Sequence, residues 1–124
     1  MQKIEAFIRP EATAPVRDAL AAAGAGGMTF VQAQGMGAQH GFTEYVRGTE
    51  VLVQTQPKVI VIVVCEDNEV EGFVQAICDA ARTGEQGKVG DGKVFVSPVA
   101  QALRIRTGDI GSRALGDAGI HARA

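Results

Sequence analysis

An α+β domain with its elements in the order β-α-β-β-α-β is what this 124-residue sequence predicts. Three observations carry that prediction. Short apolar and β-branched runs, closed by proline or glycine, alternate with two segments whose apolar residues recur at helical spacing. The longest apolar run, Val59-Ile60-Val61-Ile62-Val63-Val64-Cys65, lacks polar alternation, as in a central strand covered on both faces. About twenty residues separate that run from the strand before it, whereas connections in compact domains are mostly about 4 to 6 residues. The order specifies a ferredoxin-like fold, with two helices on one face of an antiparallel sheet. Two helices leave the second face bare, so the buried-looking third strand predicts that another subunit covers it.

Taken in order, Ile4 to Arg9 alternates as a half-buried strand and Pro10 stops it. A helix is predicted from about Thr13 to Ala23, with Thr13 as N-cap, Pro15 in the first turn and Gly24 as the C-terminal stop. Val16, Ala19, Leu20 and Ala23 form its apolar face. Gly26-Gly27 turns the chain into a second strand, Met28 to Gln34, and the third runs from Lys58 to Cys65. Glu66-Asp67-Asn68-Glu69 supplies capping groups and negative charge that suit a helix N-terminus. That helix is predicted to continue to about Thr83, on a stripe of Val70, Phe73, Val74, Ile77 and Ala81, with Gly84 ending it. The fourth strand, Lys93 to Val96, is closed by Pro98. Leu103-Arg104-Ile105-Arg106 alternates, which predicts that both arginines project to one face. Residues 109–124 read as a flexible tail, mobile or ordered by a partner, after a single domain over 1–108.

The formal charge of −2 and pI near 5.6 argue against a nucleic-acid surface, which normally carries a basic excess. No run approaches the roughly 18 apolar residues of a membrane span, and the N-terminus lacks the layout of a signal peptide. A cytoplasmic protein is the expectation. Cys65 and Cys78 lack paired metal-ligand spacing and read as buried thiols in a reducing compartment. The 16 glycines cluster between Gly24 and Gly48, between Gly84 and Gly92, and from Gly108 onward. The first two clusters flank strands and suggest a site, because glycine lets backbone turn sharply or approach a ligand.

The chemistry concentrates at Gly90-Asp91-Gly92-Lys93, with Arg104 and Arg106. Backbone N–H groups beside glycines can cradle phosphate oxygens, and an adjacent lysine adds a point charge. Two arginines nearby would clamp the rest of a polyphosphate. Taken alone, the Gly-Asp-Gly-Lys run reads equally well as a tight hairpin turn.

In register along almost the whole domain, further motifs accompany this run. They are Gly27-Met28-Thr29, Gly35-Met36-Gly37, Gln39, Gly41, Thr43-Glu44, Arg47-Gly48, Glu50, Val53, Pro57-Lys58, Arg82-Thr83-Gly84 and Arg104-Ile105-Arg106-Thr107-Gly108. On these the sequence resembles the PII signal-transduction proteins from Met1 to about Gly108. The resemblance implies a homotrimer with nucleotide sites in the clefts between subunits, binding ATP or ADP. The long connection, about residues 36–57, would be the T-loop, which docks on a target protein such as a membrane transporter or a metabolic enzyme. Gly90, Asp91, Gly92, Lys93, Arg104 and Arg106 would hold the phosphates, Thr29 and Val64 would lie near the adenine and ribose, and Gly35, Gly37, Ala38 and Gln39 would also bind the nucleotide. Gln39 would help hold Mg²⁺ and 2-oxoglutarate when Mg-ATP is bound, and Lys58 would pair with a 2-oxoglutarate carboxylate. Arg47, Thr49 and Glu50 would meet the target. The implied role is a regulator of carbon and nitrogen status, not an enzyme.

The sequence also departs from the family. Val51 stands where many members carry a modifiable tyrosine, so no nucleotidyl group can be accepted there; Tyr45 lies nearby. Thr49 occupies the place of a serine phosphorylated in some members. Ala38 replaces an arginine that commonly reaches the terminal phosphate, and Ile62 replaces a frequent glutamate beside the site. Together they predict a weakened preference for ATP, shifted toward ADP or AMP. The loop after Thr83 is longer than usual around Glu85-Gln86-Gly87, and adds Lys88. An alternative follows: a divergent sensor preferring ADP or AMP, with another effector such as bicarbonate and a target outside nitrogen metabolism. An RNA-binding module with the same element order would need exposed aromatics and basic surface, and this chain has one tyrosine and no tryptophan. His40 and His121 have no evident catalytic partner in sequence.

Overall fold

The computed structural model describes residues 1–36, 42–46, 49–53 and 55–115, the two middle segments by their backbone pairing. Strands β1 (Gln2–Ile8), β2 (Thr29–Gly35), β5 (Gln56–Cys65) and β6 (Gly92–Pro98) form one sheet, and β3 (Phe42–Val46) pairs with β4 (Thr49–Val53). Helices α1 (Thr13–Ala22) and α2 (Val70–Ala81) complete the α+β, ferredoxin-like arrangement. The sheet order is β2-β5-β1-β6, antiparallel throughout, with the long apolar strand β5 near the centre as its composition requires.

Along β5, burial alternates. Val59, Val61, Val63 and Cys65 are buried under the helices, while Ile60, Ile62 and Val64 on the opposite face are half-buried. The core joins these to Ile4, Ala6 and Ile8 of β1, Val16 and Leu20 of α1, and Phe73 and Ile77 of α2. The face away from the helices also carries Val31, 40% exposed, and Phe95, 53% exposed, the latter edge-to-face with Phe7 at 5.8 Å between ring centroids. A strand hydrophobic on both sides is thus covered on only one by its own chain.

Several expected boundaries move. A 3-10 turn over Pro10–Ala12 precedes α1, so Thr13 is its first residue, Ala12 takes the N-cap place, and no side chain caps it. Of the predicted apolar face, Val16 and Leu20 are buried but Ala23 is exposed beyond the helix end. Gly24, at φ 98°, supplies the stop. The second helix begins with a 3-10 turn over Asp67–Glu69, where the Glu69 carboxylate accepts from the Glu66 N–H at 3.0 Å. It ends at Ala81, two residues before the expected limit, because Arg82 is already extended, at φ −70° and ψ 130°. Gly84 falls in the turn that follows.

The long connection is not without structure, since it contains the β3–β4 pair. Its base is closed by the β2–β5 ladder, which sets Gly35 opposite Gln56, and by Thr55 Oγ1 donating to Gln34 Oε1 at 3.0 Å. The first part of the expected flexible tail is ordered on its own chain. Ile110 bridges Leu103, Gly111–Ala114 form a 3-10 turn, and Ser112 Oγ donates to Glu66 Oε2 at 3.0 Å. Residues 116–124, including His121, lie outside the described residues. Among the described residues, no helix is long and apolar enough to cross a membrane.

Candidate functional site

The Thr83–Lys93 segment leaves α2, turns repeatedly and re-enters the sheet as β6. Gly84, Gly87, Gly90 and Gly92 all take positive φ, which is why the run is glycine-rich. At Gly92 the requirement is strictest. Its φ is 118°, and a Cβ there would collide with the Phe7 carbonyl oxygen.

Asp91 holds the segment together. Its carboxylate accepts from Thr83 N at 2.9 Å, Thr83 Oγ1 at 2.6 Å, Lys88 N at 2.8 Å and Arg9 Nε at 3.2 Å. The Thr83 hydroxyl and N–H, with help from Lys88 N–H and Arg9, hold the carboxyl far below the usual carboxylate range. The sequence reading placed Asp91 among nucleotide contacts. In the structure Thr83, the Lys88 N–H and Arg9 engage both of its oxygens.

Two cations grip the same turn from the sheet. Lys58 Nζ donates to the Gly90 carbonyl at 2.6 Å, and Arg9 Nη2 donates to the Val89 carbonyl at 2.7 Å. The Lys58 stem also packs on Gly35, where an added Cβ would lie 3.1 Å from Lys58 Cγ. An open depression of about 370 Å³ is lined by Arg9, Pro10, Glu11, Gln56, Pro57 and Lys58. Gly35, Lys58 and Gly90 are therefore brought together as a group. Arg9 joins them without having been singled out from sequence. It looked like the end of a strand, and only the register, with Ile8 opposite both Val59 and Gly92, puts it beside Asp91 and Lys58.

The remaining candidates sit elsewhere. Lys93, exposed, stands opposite Phe7 at the start of β6. Thr29 lies opposite Ile62, and Val64 opposite Lys3, toward the far end of the open face. Val64 lies six residue steps along β5 from Lys58, about 20 Å at strand rise. Arg104 and Arg106 do not share a strand face as predicted. The backbone turns at 105–107, with Gly108 N donating to Arg104 O at 2.7 Å, so the period of two does not apply. Arg104 is half-buried and donates to the Ala114 and Leu115 carbonyls at 3.4 and 3.5 Å, whereas Arg106 is exposed. Gly37, Ala38, Gln39, His40 and Arg47 lie outside the described residues, and Thr49 and Glu50 are described only as backbone of β4.

The sequence profile of the family described as nitrogen regulatory protein P-II matches residues 1–109. The chain belongs to that family. It is 48% identical over 115 residues to a nitrogen regulatory protein P-II of Cereibacter sphaeroides, covering 93% of this chain and all of the relative. Proteins of the same description from Mesorhizobium japonicum and Azospirillum brasilense are each 47% identical over the same lengths. This P-II family member is thus a signal-transduction regulator by descent, not a member of a family of catalysts. The glycine-rich turn, the long connection and the central apolar strand all lie within the matched residues.

Proposed function

We propose that this P-II protein is a nucleotide-responsive regulator that binds ATP or ADP at the Gly90–Lys93 turn. Bound nucleotide would bias the long loop between β2 and β5 toward or away from a target protein. The observation that carries the proposal is the braced turn itself. Asp91 fixes its backbone while Lys58 and Arg9 hold its carbonyls, so a phosphate would meet a preformed cradle with cations beside it. Gly35, at the start of the loop, packs on Lys58, which gives a physical route from that cradle to the loop base.

A homotrimer completes the reading. The half-buried Ile60, Ile62 and Val64 face calls for a second copy, and a neighbour can present its Thr29 and Val64 end to another chain's phosphate turn. Arg104 and Arg106 would add phosphate contacts. The domain would span 1–108, with the loop at 36–57 and the tail beyond, in a cytoplasmic protein. Lys58 and Arg9 together suit a dicarboxylate such as 2-oxoglutarate, with Gln39 joining when Mg-ATP is bound. A side-chain amide oxygen is a hard ligand suited to Mg²⁺. The loop tip, including Arg47, Thr49 and Glu50, would recognise a membrane transporter or metabolic enzyme.

One observation favours a second reading. Ile62 presents an apolar side chain between Glu5 and Thr29 on the open face, where a carboxylate would otherwise be available to polar ligand groups. With Ala38, it supports preference for ADP or AMP and a different effector, such as bicarbonate. Calorimetric titration of the assembled protein with ATP, ADP and AMP, with and without Mg²⁺ and 2-oxoglutarate, separates the two. Binding of 2-oxoglutarate that requires Mg-ATP supports the first. Adenylate binding with no response to 2-oxoglutarate supports the second, and no nucleotide binding overturns both.

A further inference from the structure

The Thr83–Asp91 turn also borders a space that neither Lys58 nor Arg9 lines. Between that turn, the C-terminal half of α2 and the sheet lies a cavity of about 570 Å³. This is within the roughly 300–1,000 Å³ of small-molecule sites. Its floor is apolar, formed by Ile8, Ile77, Ala81 and Val94, and its rim carries Arg82 and Lys88. Asp91 also borders it, but Thr83, Lys88 N–H and Arg9 already engage both carboxylate oxygens. Among the described residues Arg82 is held only by Asp79 at 3.3 Å, in an exposed pair of the kind worth about 0–1 kcal/mol. The balance at the mouth is cationic above an apolar floor.

We propose that this cavity is a second ligand site, contained within one subunit, for a small amphiphilic carboxylate. The hydrocarbon part rests on Ile77, Ala81 and Val94, and the carboxylate meets Lys88 and Arg82. An alcohol of the same length lacks the charge, and an amine carries the wrong one. The site lies behind the phosphate turn and shares neither Lys58 nor Arg9, so it does not depend on the reading of the nucleotide site.

Cys78 lines the same cavity and is half-exposed, whereas Cys65 is buried, so alkylation of Cys78 reports occupancy. The test uses the full chain with hexanoate, hexanol and hexylamine as probes, read by calorimetry and by the rate of Cys78 alkylation with iodoacetamide. Saturable hexanoate binding, at one per chain, is expected to slow alkylation about fivefold or more, with hexylamine inert. Lys88→Glu is expected to weaken hexanoate about tenfold. Ala81→Phe, which fills the cavity, is expected to abolish binding, and Glu11→Trp, which crowds the depression beside Arg9 instead, to leave it intact. No saturable binding, equal binding of hexylamine, or binding unchanged in both Lys88→Glu and Ala81→Phe would overturn the proposal. Loss of binding in Glu11→Trp would assign hexanoate to the depression beside Arg9 and overturn it equally.

Discussion

Replacing Asp91 by alanine removes the acceptor of the hydrogen bonds from Thr83 N, Thr83 Oγ1, Lys88 N and Arg9 Nε in a single step. Bonds to a charged group are worth about 1.5–3 kcal/mol each where buried. This cluster is only partly buried, so freed donors recover water, and the Arg9 pair falls toward the roughly 0–1 kcal/mol of surface pairs. A total of about 3 kcal/mol follows, near 1 kcal/mol for each remaining bond. For a chain of this size, that lowers Tm by about 10 °C. Without its brace the turn no longer presents Gly90 and Gly92 in one conformation, so nucleotide affinity is expected to fall about tenfold or more. Circular dichroism melts at fixed protein concentration and calorimetric titration with ATP provide the two readouts. Asp91→Asn, which keeps one carbonyl acceptor, should fall between. A Tm within about 2 °C of wild type, together with affinity within about twofold, would refute the bracing role.

Other perturbations follow from the same geometry. Gly92→Ala combines a positive φ with a collision at the Phe7 carbonyl, and is expected to cost more than about 3 kcal/mol, read as insoluble expression or a large loss in denaturation midpoint. An unchanged midpoint would show that the strand start relaxes freely. Because folding depresses the Asp91 carboxyl below its usual 3.8, its stabilisation is full above that pH and is lost as the pH falls below it. The stability gap between wild type and Asp91→Asn should therefore begin to narrow below about pH 4 and go on narrowing to about pH 2, and a constant gap contradicts the shift. Ile62→Lys puts a charge on the open sheet face. If the proposed homotrimer is joined through that face, light scattering should then find a smaller assembly, and a mass unchanged from wild type would remove that face from the interface.

Much of the fold could be read from local pattern, because the core strands and helices obey their own periods. Val59 to Cys65 announced a central strand, and Gly24 and Gly92 marked places where only glycine fits. The first helix cap was misplaced because Pro10 starts a 3-10 turn that absorbs Thr13 into the helix. The β3–β4 pair had a legible signal, β-branched runs on either side of Arg47-Gly48, yet was subsumed in the reading of one long loop. Arg9 was illegible in principle, since its place beside Asp91 is set by β1 register against two strands distant in sequence. The Arg104 and Arg106 reading failed for the opposite reason: an alternating pattern met a backbone that turns.

The bond from Lys58 to Gly90 makes the turn a resident competitor for its own lysine. The ammonium has three N–H donors, so a carboxylate that meets it either shares it with the carbonyl already held at 2.6 Å or displaces that carbonyl. If a charge-assisted bond of about 1.5–3 kcal/mol is given up, the apparent affinity is up to about 10- to 150-fold weaker than at an unoccupied lysine. Under the proposed sensing of a carboxylate at Lys58, such displacement would set a threshold that an abundant carboxylate passes and a trace one does not. Displacement would also tie that threshold to the turn geometry, since it leaves the Gly90 carbonyl seeking a new donor.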